Sequence, residues 1–116
     1  MRELLIEAVR KRLSSDRGVG VFCSGGLDSV SVLACVRHVL GPNARINTYT
    51  VGMPGSTDLH FAKKAAEYFK TEHFEACLSE EQFLNAVRET ALVCETWDTT
   101  TIRASVGNLL VSKLVQ

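Results

Sequence analysis

The feature that most narrows what this chain can fold into is a three-part succession near its start. A short apolar run, Val19-Gly20-Val21-Phe22-Cys23, leads into the turn Ser24-Gly25-Gly26-Leu27-Asp28-Ser29, and a helical pattern follows to Leu40. An apolar run bounded by Gly and Ser suits a strand buried on both faces of a parallel sheet. In the stretch after it, Val32, Leu33, Val36 and Val39 recur at helical spacing, and Gly41-Pro42-Asn43 stops the pattern. Strand, glycine turn and helix in that order define one half of a βαβ unit.

The alternation continues along the chain. Residues 2–14 read as an amphipathic helix with Leu5, Ala8, Val9 and Leu13 inward, and residues 14–18 break it. Residues 45–51 read as a second strand, closed by Gly52-Met53-Pro54-Gly55. Ser56-Thr57-Asp58 is expected to cap a helix running to about Phe69, with Phe61, Ala62, Ala65, Ala66 and Phe69 inward. Residues 71–76 read as a short third strand. Ser79 and Gln82 have capping-box spacing and open a helix through Phe83, Val87 and Leu92. Residues 95–101 form a polar loop, and Ile102 to Leu114 a last helix. Strands alternating with helices imply right-handed crossovers and an open, doubly wound parallel sheet, a Rossmann-like α/β fold.

Length and charge bound the function. The 116 residues suit one domain, residues 1–116. Thirteen basic residues balance thirteen acidic ones, which gives no electrostatic footprint for nucleic acid or a membrane surface. No window reaches the ~20 apolar residues of a membrane span. The start shows no signal-peptide pattern. Cys23, Cys35, Cys77 and Cys94 are far apart and lack metal-ligand spacing, so four reduced core thiols in a reducing, cytoplasmic compartment are expected. His38, His60 and His73 also lack ligand spacing and are expected to be partly exposed. Trp97 is expected to pack, and Lys63, Lys64, Glu67 and Lys70 to form a solvated face.

The turn after the first strand carries the chemistry. Ligands of open parallel sheets bind at the carboxyl ends of the strands. A helix N-terminus there presents unpaired N–H groups and partial positive charge to an anion. Gly25 and Gly26 let the backbone approach closely, and Ser24 and Ser29 add hydroxyl donors. Asp28 beside a phosphate calls for an intervening cation, and Mg²⁺ with its oxygen ligands meets that need. No Gly-Lys-Ser/Thr follows, so this is not a Walker A loop. Gly20 lies inside the strand, so it is not a dinucleotide fingerprint either.

The hexapeptide resembles the pyrophosphate loop of the N-type ATP pyrophosphatase (PP-loop) superfamily, whose fold is of the adenine nucleotide alpha hydrolase type. Three further stretches resemble the asparagine synthetase family within it: Ser15-Asp16 before the first strand, Tyr49 to Leu59, and Glu95 to Ser105 with its Thr-Thr-Ile-Arg-Ala-Ser core. The resemblance implies ATP-dependent, AMP-forming activation of aspartate, followed by amidation with ammonia that relatives draw from glutamine. It implies that Ser24, Gly25, Gly26, Leu27, Asp28 and Ser29 hold pyrophosphate, with Asp28 on Mg²⁺. Phe22, Val51 and Gly52 would border the adenosine, and Asp58 would lie near the nucleotide loop. Thr100, Thr101 and Arg103 would stand near the reacting groups. Val51 as core, Asp58 as a helix cap, Thr100 and Thr101 as caps and Arg103 as a surface residue remain alternatives. A β-lactam synthetase-like ligase and a non-catalytic nucleotide-binding or interaction module are the competing functions.

The resemblance also bears on extent. The family begins with a glutaminase domain whose nucleophile is a cysteine after the initiator Met, whereas residue 2 here is Arg. It continues past the last helix into a further strand, an acidic loop and a lysine. A partial domain of about three strands is therefore expected, inactive or weakly ATP-binding alone, with the first strand left as an open apolar edge that invites pairing with a partner chain or another copy.

Overall fold

The computed structural model describes residues 1–115. Its elements are α1 (Arg2–Arg12), β1 (Gly20–Phe22), α2 (Leu27–Leu40), β2 (Asn47–Gly52), α3 (Thr57–Phe69), β3 (Glu72–Cys77), α4 (Glu80–Val93) and α5 (Thr99–Val115). The three strands are parallel and lie in the order β1-β2-β3, with Phe22 beside Tyr49 and Tyr49 beside Phe74. The expected α/β architecture is present, with every element within a few residues of its expected bounds.

The order of strands decides the layers. Two successive right-handed crossovers in one direction place α2 and α3 on the same face. There they pack with α1 around Val9, Val21, Cys23, Leu33, Val36, Ile46 and Ala65. Helix α5 packs on β2 and β3 and carries α4 with it. It covers the opposite face, where Phe22, Tyr49 and Phe74 are in register. Tyr49 stacks on Phe74 with ring centroids 5.2 Å apart. A Cβ at Gly20 would stand 2.9 Å from the Tyr49 ring, so this strand glycine makes room for the aromatic layer.

One arginine closes the far end of the α1–α3 layer. The Arg37 guanidinium donates to the carbonyls of Gly41, Ala44, Phe69 and Lys70 at 2.7–3.1 Å. It ties the end of α2 to the end of α3, where Lys70 adopts a left-handed conformation with φ 52°. A planar fork of five donors does what no lysine can do at this position.

Inward assignments fail at α1 and α3, and apolar residues of α4 are left exposed as well. Leu5 and Ala8 are exposed, and Phe61, Val87 and Leu92 are 52%, 39% and 69% exposed. The cause is incomplete cover: α5 is the main contact of α4, and α1 meets little besides α2. Two of the four cysteines, Cys77 and Cys94, are exposed, while Cys23 is buried; all four are free thiols. Trp97 does not pack; it is 91% exposed. His38 and His60 are exposed, but the His73 side chain is only 12% exposed, drawn in beside the fully buried Thr48 hydroxyl at 3.0 Å.

The capping residues are resolved as well. Ser79 and Gln82 form both halves of the capping box. Ser56, not Asp58, is the N-cap of α3; its hydroxyl accepts from the Asp58 N–H at 3.2 Å. The last helix begins at Thr99, inside the expected loop. Asp98 caps it by accepting from the Thr101 N–H at 2.7 Å, so Thr100 and Thr101 stand in the first turn.

Candidate nucleotide site

The turn after β1 is shaped by a backbone constraint. Gly25 has φ +79°, and a Cβ there would stand 2.5 Å from the Ala62 nitrogen and 2.6 Å from Phe61. Both facts demand glycine: the left-handed conformation is unfavourable for L side chains, and the loop rests directly on α3. Gly26 is different. Its φ is −72°, and a Cβ there would meet only the Ser24 Oγ, at 3.5 Å. Its small size exposes backbone rather than relieving a collision.

Gly26 is the N-cap of α2, and no side chain caps that helix end. Ser, Thr, Asp or Asn at this position would supply a side-chain acceptor to the first N–H groups, and Gly, though also favoured there, supplies none. An uncapped N-terminus leaves the N–H groups of Leu27, Asp28 and Ser29 available to an anion. The hydroxyls beside it are pre-oriented. Ser29 Oγ donates to the Gly26 carbonyl at 3.0 Å and lies 3.2 Å from Ser24 Oγ. Ser24 Oγ in turn accepts from the Gly26 N–H at 3.4 Å.

These groups open into a cleft of about 290 Å³ across the carboxyl ends of β1 and β2. It is walled by Phe22, Ser24, Ser29, Val51, Asp58 and, from α5, Gly107 and Asn108. The cleft lies at the carboxyl ends of the parallel strands, between the sheet and α5, the end of an open α/β sheet at which ligands bind. Five of the expected site residues, Phe22, Ser24, Ser29, Val51 and Asp58, line it.

The others take different places. Leu27 is 83% exposed and Asp28 is exposed in the first turn of α2. Gly52 lies under α3, where a Cβ would stand 2.8 Å from Leu59, so its smallness serves packing. Thr100 and Thr101 are exposed on α5. Arg103 borders a separate groove with Met53, Glu80, Phe83 and Ile102. That groove adjoins the cleft along the chain, since Val51 and Ala104 line the one where Met53 and Arg103 line the other. Tyr49, Gly107 and Asn108 were not expected in the cleft. The signal for the two α5 residues was present: Ala104, Gly107, Asn108 and Val111 recur at one-face helical spacing.

The residues fit a magnesium nucleotide. The anion end offers donors, and the exposed Asp28 carboxylate stands in the first turn of the same uncapped helix. Among the described residues no three His, Cys, Asp or Glu side chains cluster to hold a metal by themselves. Mg²⁺ is commonly held by one or two carboxylates together with substrate phosphates and water.

An open parallel sheet with an uncapped, glycine-turned helix at the carboxyl end of its first strand defines an α/β domain whose open strand ends suit an anionic ligand. The structure resembles the NH3-dependent NAD synthetase of Campylobacter jejuni, with a TM-score of 0.61, 16% identity, and coverage of 98% of this chain and 48% of that one. The chain belongs to the asparagine synthase family, whose profile matches residues 1–116. It is 41% identical to the glutamine-hydrolysing asparagine synthetase of Pongo abelii and 40% identical to that of Homo sapiens over 119 residues. Each alignment covers all of this chain but 21% of the relative, so the chain spans about a fifth of the length of the relatives it matches.

Proposed function

We propose that this chain supplies the ATP-binding part of a C–N ligase that makes asparagine. The observation that carries the reading is the uncapped N-terminus of α2 behind a turn that only glycine can make, set in a chain that belongs to this family.

In the proposed reaction the side-chain carboxylate of aspartate attacks the α-phosphorus of ATP, and pyrophosphate departs. The β-aspartyl-AMP so formed is attacked by ammonia, giving asparagine and AMP. In the glutamine-hydrolysing relatives the ammonia comes from glutamine. Negative charge accumulates on the leaving pyrophosphate, so donors fixed beforehand around it lower the barrier. Ser24, Gly25, Gly26, Leu27 and Ser29 provide those donors through backbone N–H groups and hydroxyls. Asp28 would hold Mg²⁺, which supplies charge neutralisation to the pyrophosphate. Phe22 and Val51 border the adenosine, with Asp58 at the rim, while Gly52 lets α3 pack closely beneath that wall. Thr100, Thr101 and Arg103, at the start of α5, serve the reacting carboxylate and its adenylate; a guanidinium there pairs well with a phosphoryl oxygen. A reducing, cytoplasmic setting suits four free thiols.

The test is the product spectrum from radiolabelled ATP. Aspartate-dependent release of pyrophosphate and AMP supports the reading. Release of ADP and phosphate, or turnover indifferent to aspartate, contradicts it.

A further inference from the structure

We propose that Asn108 reads the nucleobase in this cleft and selects a 6-amino purine over a 6-oxo purine. The inference rests on the nucleotide reading of the cleft and deepens it. The two ends of the cleft differ in character. Ser24 and Ser29 mark its anion end, whereas Phe22, Tyr49 and Val51 offer apolar surface suited to a flat ring. Among the residues that α5 contributes, Ala104, Gly107 and Val111 carry no polar side-chain atom, and Asn108 carries the amide. A Cβ at Gly107 would meet nothing within 4 Å, so α5 leaves open space at that position of the cleft wall.

The orientation of the amide follows from its one bond. Asn108 Nδ2 lies 3.3 Å from the Ala104 carbonyl. A backbone carbonyl can only accept, so the group facing it is the NH₂, and Oδ1 is the free end. A free acceptor complements the exocyclic amine of adenine. It faces another acceptor in a 6-oxo purine, and two acceptors repel. Asn108 is exposed and its side chain supports no other element, so its role is recognition rather than packing.

The experiment measures binding of Mg²⁺-ATP and Mg²⁺-ITP, which differ only at the purine C6 edge, to the chain and to Asn108→Leu and Asn108→Asp, with circular dichroism confirming equal helix content. The expected result is about a tenfold preference for ATP, the order of one hydrogen bond made against one repelled. Asn108→Leu is expected to bring the ratio to about one by weakening ATP and relieving the repulsion on ITP. Asn108→Asp keeps the acceptor and is expected to keep the preference, with both nucleotides weakened by its charge. A preference unchanged in Asn108→Leu, or equal binding of ATP and ITP by the parent chain, overturns the inference and leaves the nucleotide site standing. Binding of neither nucleotide by the folded parent chain overturns the nucleotide reading and this inference with it.

Discussion

Gly25 is the residue on which the proposed site depends most sharply. Its φ of +79° and the 2.5 Å approach to Ala62 act together. The strain of a left-handed non-glycine residue alone amounts to about 1–3 kcal/mol, and the collision with α3 adds to it. Gly25→Ala is therefore expected to lower stability by about 2 kcal/mol or more, read as a reduced midpoint in urea. Gly26→Ala, with φ −72° and no close contact, is expected to change stability far less. Equal losses from the two substitutions would contradict this division of labour. The turn's identity was legible because glycine, serine and aspartate at these spacings leave few physical readings. The collision with Phe61 was not legible, since it depends on a helix more than thirty residues downstream. The cap of α5 is Asp98 rather than Thr100 or Thr101, because the helix starts at Thr99 and so takes both threonines into its first turn. The hydrogen bonds from Thr101 now hold the Asp98 carboxyl below its ordinary value.

At the scale of elements, strand β3 contains a titratable group on the α3 side of the sheet. Burial holds the His73 imidazole below its ordinary value of 6.5, with Lys63 acting in the same direction and Glu75 opposing. Its Nδ1 is 3.0 Å from the Thr48 hydroxyl, and its Nε2 is buried without a hydrogen-bond partner, 3.8 Å from Glu75. A lowered histidine pKa means that the unfolded chain binds the proton more readily. The stabilising contribution is thus complete above 6.5 and is lost as pH falls from there through the folded value. Denaturation midpoints measured between pH 7.5 and pH 5 should decline, and His73→Gln should flatten that decline. A decline of the same size in the variant would assign it to other groups. Element types were readable here because period and punctuation agree at each helix and strand. Which faces would be covered was not, because burial of Phe61, Val87 and Leu92 depends on how many layers surround them. The placement of Arg103 in a neighbouring groove has the same origin: a helix residue's position in a motif does not say which of two adjacent cavities it borders.

For the whole molecule, the arrangement of layers both creates the cleft and leaves β1 at an open edge of the sheet. Strand β1 pairs only with β2 among the described residues. Beside it lies an open cavity of about 590 Å³, bordered by Val9, Leu13, Val19, Val21, Phe22 and Val36. A free strand edge next to apolar surface is a template for pairing. The purified chain is expected to self-associate with rising concentration in sedimentation velocity; a single monomeric species throughout would contradict that expectation. No helix of the described residues is long and apolar enough to cross a membrane. The central claim is that the turn after β1 is already shaped for a magnesium nucleotide. Calorimetric titration of Mg²⁺-ATP into the chain and into Asp28→Ala tests it most directly. Measurable binding that Asp28→Ala weakens by about tenfold or more is expected, the effect of losing a charged partner. Absence of binding to a folded sample, or equal binding by both proteins, would contradict it.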